Sequence, residues 1–482
     1  MHQGTTDFTQ GSIPRHLVAF SVPLLLGNFL QAAYNTVDSF WVGRYLGPRA
    51  LAAVSASSPV IFSLISLVMG LTVAITVLVA QSYGAGAIDR VRHVVTNSLV
   101  FLAEIGVVIS IVGVLCRNIL LRAINVPPDV FDQASVYLGI FLAGLVGMFL
   151  YNAASAILRG LGDSRTPLRF LAYATVANMV LDPLFIFGVG PIPRMEVAGV
   201  ALATILAQGF SAAIALVYLR RVSGLMRLGR DWWRLDLHLF ALIWRIGLPA
   251  GVQQTLVSLS GLAVNSIVNR FGSMAMAGYG VGLRLDQFAF MPAMSGGIAV
   301  TSLVGQNLGA GRDERVSETV RWALLLTGGI TALFSVTVLS AAENLVAVFT
   351  MSADVIAIGA QYLRFAAFSY VPYALMFALS GVLRGAGDTV ASMLLTLVSL
   401  WLVRVPLAAI LSRLPALGIT GVWIAIVAGP VAGTVLNYAY YRTGIWRRRV
   451  VVRRVHEYEH EDTMEPLSSA APPGGGAPGS DE

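Results

Sequence analysis

The chain contains no lysine, a single cysteine, and charged residues at only 12% of its length. Soluble domains carry about 25% charged residues, so a large globule bathed in water is excluded. Cys116 has no partner for an intramolecular disulfide. With only six histidines there is also little from which to build a thiolate or imidazole metal centre. No short apolar segment with a small-residue cleavage site opens the sequence, so no cleaved signal peptide is expected. No histidine–carboxylate or serine–histidine set falls inside an apolar stretch, which argues against an integral-membrane enzyme.

Apolar length is what the chain has in abundance. Hydrophobic residues make up 56% of its 482 positions and the mean hydropathy is +0.75. Apolar stretches recur at 16–42, 50–80, 91–115, 130–158, 166–189, 197–219, 240–268, 275–305, 319–343, 354–382, 389–411 and 419–441. Each reaches the ~20 residues that a bilayer demands. An all-α integral membrane protein of twelve transmembrane helices is predicted.

The net charge of +7 comes from 32 basic residues, all arginine. A basic chain invites a nucleic-acid reading, but these arginines sort by side of the membrane. Most lie in alternate loops and ends, including Arg90, Arg92, Arg159, Arg165, Arg220, Arg221, Arg227, Arg312, Arg315, Arg447 and Arg448. The bias puts both termini in the cytoplasm of a cell inner membrane. It leaves membrane lipids, not nucleic acid, as the expected surroundings. Arg245, Arg284, Arg364 and Arg404 fall inside spans.

The chain also repeats itself at a spacing of about 225 residues. Gln81-Ser82-Tyr83-Gly84-Ala85-Gly86 returns as Gln306-Asn307-Leu308-Gly309-Ala310-Gly311, and Arg159-Gly160-Leu161-Gly162-Asp163 returns as Arg384-Gly385-Ala386-Gly387-Asp388. Pro23 and Pro249 match near the start of each copy. Internal repeats of this kind mark secondary transporters, and six helices per copy makes the repeat a parallel one with two pseudo-symmetric lobes. The expected organisation is a cytoplasmic N-terminal segment (1–15), an N-lobe (16–219), a cytoplasmic inter-lobe loop with Trp232 and Trp233 (220–239), a C-lobe (240–444) and a disordered cytoplasmic tail (445–482). That tail runs from basic to acidic to Pro/Gly-rich, and such a composition buries too little apolar surface to fold. Its basic start is expected on anionic headgroups. The repeated signatures themselves read as turns. Arginine suits a helix C-terminus, glycine the left-handed cap, and aspartate the cap of the next helix.

Carboxylates inside a bilayer cost several kcal/mol and are functional candidates by default. Asp38, Glu104, Asp182 and Asp286 fall in spans. On the first helix Asn28, Gln31, Asn35 and Asp38 stand at steps of three, four and three, which is one helical face. On the fifth, Asn178 and Asp182 share a face, and Pro183 frees the carbonyl of Met179. Oxygens of this kind suit a hard cation, so Na⁺ could sit among Asp38, Asn178 and Asp182. Tyr137, Asn152 and Thr204 could add oxygens. Amides and hydroxyls also glue membrane helices together, and that reading stands beside the functional one for Asn28, Gln31, Asn152 and Thr204. Two carboxylates sharing one low-dielectric cavity cannot both ionise freely, and a proton or Na⁺ would settle the charge. At the repeat spacing the positions of Asp38, Asn178 and Asp182 fall on apolar residues, so the acidic pair belongs to the first copy alone. The second copy offers Asp286 with Phe290 and Met294 on one face, near Met274, Met276 and Met291. This is either the wall of a permissive pocket or core filling. Asp286 could instead pair with Arg364 or Arg404.

Taken together, Pro23, the run Val37 to Gly43, Gln81 to Gly86, Arg159 to Asp163, Asn178 to Pro183 and Val304 to Gly311 resemble the multidrug and toxic compound extrusion (MATE) family over almost all of residues 10–445. The resemblance implies two six-helix lobes around a central cavity. It also implies export of amphipathic, often cationic drug-like compounds in exchange for inward H⁺ or Na⁺ by alternating access, with no cofactor beyond that ion. By resemblance, the coupling cation is held by residues matching Asp38, Asn178, Asp182 and Thr204, with Tyr137 and Asn152 nearby and Pro23 as a hinge. Some relatives have acidic ligands on the seventh and tenth helices, where this chain has Gln254, Val257, Tyr370 and Tyr373. The expected unit is a monomer. A lipid-linked saccharide flippase of the same superfamily is the alternative, kept open by the intramembrane arginines. A major-facilitator carrier is disfavoured because the segment from Gln81 to His93 lacks that family's acidic-arginine signature.

Overall fold

The computed structural model describes residues 6–188, 190–191, 193–222, 224–225 and 236–452, and no strand occurs among them. The first seven helices are α1 (Ile13–Trp41), α2 (Pro48–Gly84), α3 (Ile88–Ala123), α4 (Pro128–Ala143), α5 (Leu145–Gly160), α6 (Arg165–Phe187) and α7 (Val197–Val217). The second seven are α8 (Leu237–Val268), α9 (Ser273–Gly309), α10 (Asp313–Ala347), α11 (Ala353–Ala386), α12 (Thr389–Leu397), α13 (Val405–Leu411) and α14 (Ile419–Thr443). Ten spans are long and apolar enough to cross a membrane, α12 and α13 counting as one, and the bent pair α4–α5 makes an eleventh. The predicted twelfth is α8, whose 32 residues give it the length. It is less apolar because Arg245, Gln253, Gln254 and Asn265 interrupt it.

Three of the predicted spans are not straight, one of them α10, whose backbone leaves the helical region at Ala341 (φ −123°, ψ 17°). The chain turns by 47° between α4 and α5, at Gly144, where a Cβ would sit 2.3 Å from Cβ of Ile205 on α7. The break lets α7 approach closer than any side chain at 144 would allow. Between α12 and α13 the residues Val398–Arg404 form a π-helical turn. Pro406 follows within the first turn of α13, and its missing N–H accounts for the irregular ladder.

Helices α1–α7 form one lobe and α8–α14 the other, meeting along a seam built on glycine. A Cβ on Gly70 of α2 would lie 2.4 Å from the Gly247 carbonyl oxygen of α8. At the end of the seam that carries the termini, a Cβ on Gly84 would lie 1.9 Å from the Gln306 carbonyl oxygen, and one on Gly309 would lie 2.0 Å from that of Gln81. Backbones pack this closely only where no side chain intervenes.

The paired signatures lock the same end. Gln306 Nε2 donates to the Gly160 carbonyl of the first lobe, and Gln81 Nε2 donates to the Gly385 carbonyl of the second, each at 2.9 Å. The turns behave as their sequence predicts. Gly162 and Gly387 have φ of +82° and +88°, Asp163 accepts from the N–H groups of Arg165 and Thr166, and Asp388 caps α12.

The C-terminal segment starts differently from expectation. Residues 445–452 are folded: Ile445–Arg449 form a short 3₁₀ turn, and Trp446 and Val452 are buried. The N–H groups of Val451 and Val452 both donate to Gln81 Oε1 at 3.0 Å. Apolar residues interleaved with the arginines give this stretch a face to bury, which the bulk composition of the tail conceals. The N-terminal segment is likewise anchored. Phe8 is buried, its N–H donates to Gln306 Oε1 at 2.9 Å, and Arg315 holds its carbonyl. Each terminus therefore crosses to the opposite lobe. The tail beyond Val452 and the linker residues 226–235, with Trp232 and Trp233, lie outside the described residues. Entry into the second lobe is fixed by Asp236, which accepts from the N–H groups of His238 and Leu239. His93 of α3 lies 2.9 Å from its other oxygen, and that hydrogen bond holds the Asp236 carboxyl below the usual carboxylate range.

Candidate functional site

The site in the first lobe is assembled from α1, α4, α6 and α7, which pack on one another. Four-residue steps put Tyr34 above Asp38 on α1 and Asn178 above Asp182 on α6. Asn178 and Asp182 are fully buried, and Thr204 of α7 and Tyr137 of α4 nearly so. The carboxyl groups of Asp38 and Asp182 act on each other, and Asn178 acts on both. Asn178 Nδ2 donates to Asp182 Oδ1 at 3.3 Å. Four buried atoms are left with no partner among the described residues: Asp38 Oδ1, Asp182 Oδ2, Asn178 Oδ1 and the Tyr34 hydroxyl. Buried polar atoms are almost always paired. Orphaned oxygens of this kind, two of them from carboxylates, are groups that a proton or a small hard cation would satisfy.

Tyr34 was missed by the sequence reading. It stands one turn before Asp38 on the same face, and its phenol is acted on by Asp38, Thr204, Asp182 and Tyr137. The spacing that singled out Asn28, Gln31 and Asn35 could have found it, had a tyrosine been weighed as an oxygen donor and not as packing.

The other sequence candidates disperse. Asn28 Nδ2 donates to Ser295 Oγ of α9 at 3.1 Å, a bond across the seam. Gln31 and Asn35 bond to one another on an exposed stretch of α1. Asn152 Nδ2 donates to the Met148 carbonyl of its own helix. Thr204 stays in the pocket beside Tyr34; its Oγ1 donates to the Val200 carbonyl at 3.0 Å and can still accept. Pro23 and Pro183 lie inside unbroken α1 and α6. Glu104 is exposed on α3, away from the pocket.

Asp286 corrects an expected pairing. Its carboxylate accepts from the hydroxyls of Tyr362 and Tyr370, both on α11, and not in a salt bridge to Arg364 or Arg404. Arg364 bonds Glu343 at the surface. Phenols serve here because a buried ion pair must strip water from two charges, whereas two neutral donors strip it from one. Phe290 stacks on Tyr373 with ring centroids 4.3 Å apart and meets Tyr370 edge-on, so this part of the second lobe is core.

Between the lobes lies a cavity of about 120 Å³ lined by α2, α5, α8, α9 and α11, with Met69, Met294, Met376 and Phe377 as its soft wall. Of the methionines and Phe290 singled out in sequence, Met294 alone lines it, while Met274 and Met276 are exposed near the start of α9. The four intramembrane arginines do not converge on it either. Arg245, Arg284 and Arg364 are exposed, and Arg404 lies against Gly429 of α14.

Two glycine-seamed lobes around a cavity, with an acidic pocket buried in one of them, define a membrane transporter and not an enzyme. The MatE family model matches residues 23–184 and 249–410, one copy in each lobe, and the chain belongs to the MATE family of multidrug efflux transporters. It is 34% identical to the "Probable multidrug resistance protein YpnP" of Bacillus subtilis (strain 168), over 92% of this chain and 97% of that one. It is 32% identical to "Probable multidrug resistance protein YoeA" of the same organism, over 94% and 98%. A solved structure described as the outward-facing conformation of a multidrug resistance MATE family transporter of the MOP superfamily aligns with a TM-score of 0.84 at 25% identity, covering 92% of this chain and 97% of that one.

Proposed function

We propose that the protein is an antiporter that exports amphipathic, drug-like compounds while H⁺ or Na⁺ enters through the pocket of Asp38, Asn178, Asp182, Tyr34 and Thr204. The observation that carries this reading is the cluster of four buried atoms without partners in one lobe. A cation entering from outside neutralises the acidic pair and favours the state from which drug leaves outward, and its release inside resets the cycle. The ion can shift that equilibrium only by its differential affinity for the two states. Sequence bias in arginine supports a cytoplasmic location for the termini. On that orientation, the seam locked by Gln81 and Gln306 is a closed cytoplasmic gate. The dispersal of the four intramembrane arginines gives a flippase no pyrophosphate clamp of the kind first considered.

The test is dye transport by purified protein in liposomes under a pH gradient alone and a Na⁺ gradient alone. Uptake driven by one gradient and lost on its collapse is expected, and it names the ion. Equal dye movement with neither gradient present would overturn the antiport.

A further inference from the structure

The wall of the inter-lobe cavity holds two features that the efflux reading does not use. Arg159 ends α5 and Arg384 ends α11, and both line the cavity from opposite lobes. They are the same position of the repeat. Among the described residues neither forms an ion pair. The one ionisable group acting on Arg159 is the phenol of Tyr151, and none acts on Arg384. The Nε atom of Arg384 is buried without a partner. One terminal nitrogen of Arg384 lies 3.3 Å from where a Cβ of Gly297 on α9 would be, so the missing side chain there leaves room for the guanidinium.

Helix C-termini attract arginine, and that accounts for part of the placement. It does not account for the donors. Each guanidinium presents five N–H groups in a planar fork, and a desolvated cation with no acceptor is costly. Two such cations facing one cavity also repel each other. A single oxyanion between them would satisfy both forks in the bidentate manner that arginine favours. Thr76 and Thr301 line the same cavity but already donate to the carbonyls of Ala156 and Gly297, so the two guanidinium groups are the charged donors the cavity offers. At about 120 Å³ the space falls short of the ~300 Å³ at which drug-sized pockets begin, and it suits a phosphate or carboxylate group.

We infer that Arg159 and Arg384 form an oxyanion site across the lobe seam, which takes the phosphate or carboxylate group of an amphipathic cargo. The inference rests on the transport reading for its cargo role, and it widens that reading from cationic compounds to anionic and zwitterionic ones. The site is tied to the gate. Gly160 and Gly385, whose carbonyls are held by the glutamines of the opposite lobe, directly follow the two arginines. Separation of the lobes at that end would pull the two guanidinium groups apart and release the anion.

The experiment is thermal unfolding of the full chain in a neutral maltoside detergent, titrated with dodecyl phosphate, inorganic phosphate or dodecyltrimethylammonium. Dodecyl phosphate is expected to raise the melting temperature saturably. R159Q and R384Q should each weaken that response by about tenfold or more, the scale of one charged hydrogen-bonded contact, and R384K should recover part of it. A response to dodecyl phosphate alone identifies a lipid-like cargo, and an equal response to inorganic phosphate identifies a soluble oxyanion; either supports the site. Absence of a saturable shift from both anions in the unaltered protein overturns it, as does an equal shift in the R159Q/R384Q double variant. Should the variants fail to fold, the contrast between dodecyl phosphate and dodecyltrimethylammonium in the unaltered protein still decides. No gradient is imposed, so failure of ion-driven export would leave this result untouched.

Discussion

The two lobes share a helix plan but treat buried acid in opposite ways. At the repeat spacing Tyr362 falls on Tyr137, and each phenol neighbours buried carboxylate. In the second lobe that carboxylate is Asp286, whose two oxygens are both satisfied by tyrosine hydroxyls. In the first lobe it is the pair Asp38 and Asp182, each with an orphaned oxygen. A buried acid with its hydrogen bonds made is structural, fixing α9 against α11. A buried acid left wanting is the kind of group that the proposed coupling ion would satisfy. Duplication supplied one scaffold, and the difference in satisfaction assigns the lobes different work.

The largest expected effect breaks that contrast directly. Asp38→Asn removes one charge from the pocket, and ion-driven dye export in liposomes should fall to the leak of empty vesicles while the protein still folds. Asp286→Asn should keep export measurable, since neither ion nor dye needs its charge. Full activity in Asp38→Asn with loss in Asp286→Asn would reverse the roles given to the two lobes.

Much of this was legible in the sequence because membrane spans and repeats leave strong signals. The twelve stretches match the helices to within a few residues at most ends, and Asp38, Asn178 and Asp182 do converge. What stayed hidden depends on contacts between distant segments. Helix spacing finds a face but not what faces it, so nothing local shows that Asn28 bonds Ser295 across the seam, and Tyr34 does not stand out as an oxygen donor. Arg159 and Arg384 were read as turn residues, which they are, but nothing local reveals that two helix ends from different lobes open on one cavity. The docking of residues 445–452 was masked for the same reason. Its partner is Gln81, some 370 positions away in the chain.

A smaller effect is expected at the gate, where the lobes are alike. Gln306→Ala strips the Gly160 carbonyl and the Phe8 N–H of their partner, and Gln81→Ala does the same to Gly385, Val451 and Val452. Each should weaken the closed seam by about 1–2 kcal/mol, a five- to thirtyfold population change. Cys116 is the one native thiol, so a Cys116→Ser background carrying Thr301→Cys reports opening as the rate of maleimide labelling in the cavity. Both glutamine variants should label faster, and by similar factors. A rise in only one would mean that one terminal strap, not the symmetric pair of glutamines, holds the gate.

The smallest effect separates the lobes by stability in place of transport. Tyr370→Phe leaves an oxygen of Asp286 buried without its 2.7 Å hydrogen bond. It should cost about 1 kcal/mol or somewhat more, read as a lower melting temperature in detergent. In membrane proteins such bonds are often worth less than in water, because the unfolded chain finds other partners, so the shift will be modest. Tyr34→Phe removes a hydroxyl that borders Thr204 but makes no hydrogen bond of normal geometry among the described residues, and the melting temperature should change less. Yet it should weaken the coupling ion's apparent affinity in the liposome assay, because that hydroxyl borders the acidic pair. The two substitutions are chemically identical, so different outcomes would show that the difference lies in what each phenol faces. If Tyr34→Phe lowered stability as much as Tyr370→Phe and left coupling unchanged, the first lobe's pocket would be ordinary core, and the distinction between a satisfied acid and a receptive one would fail.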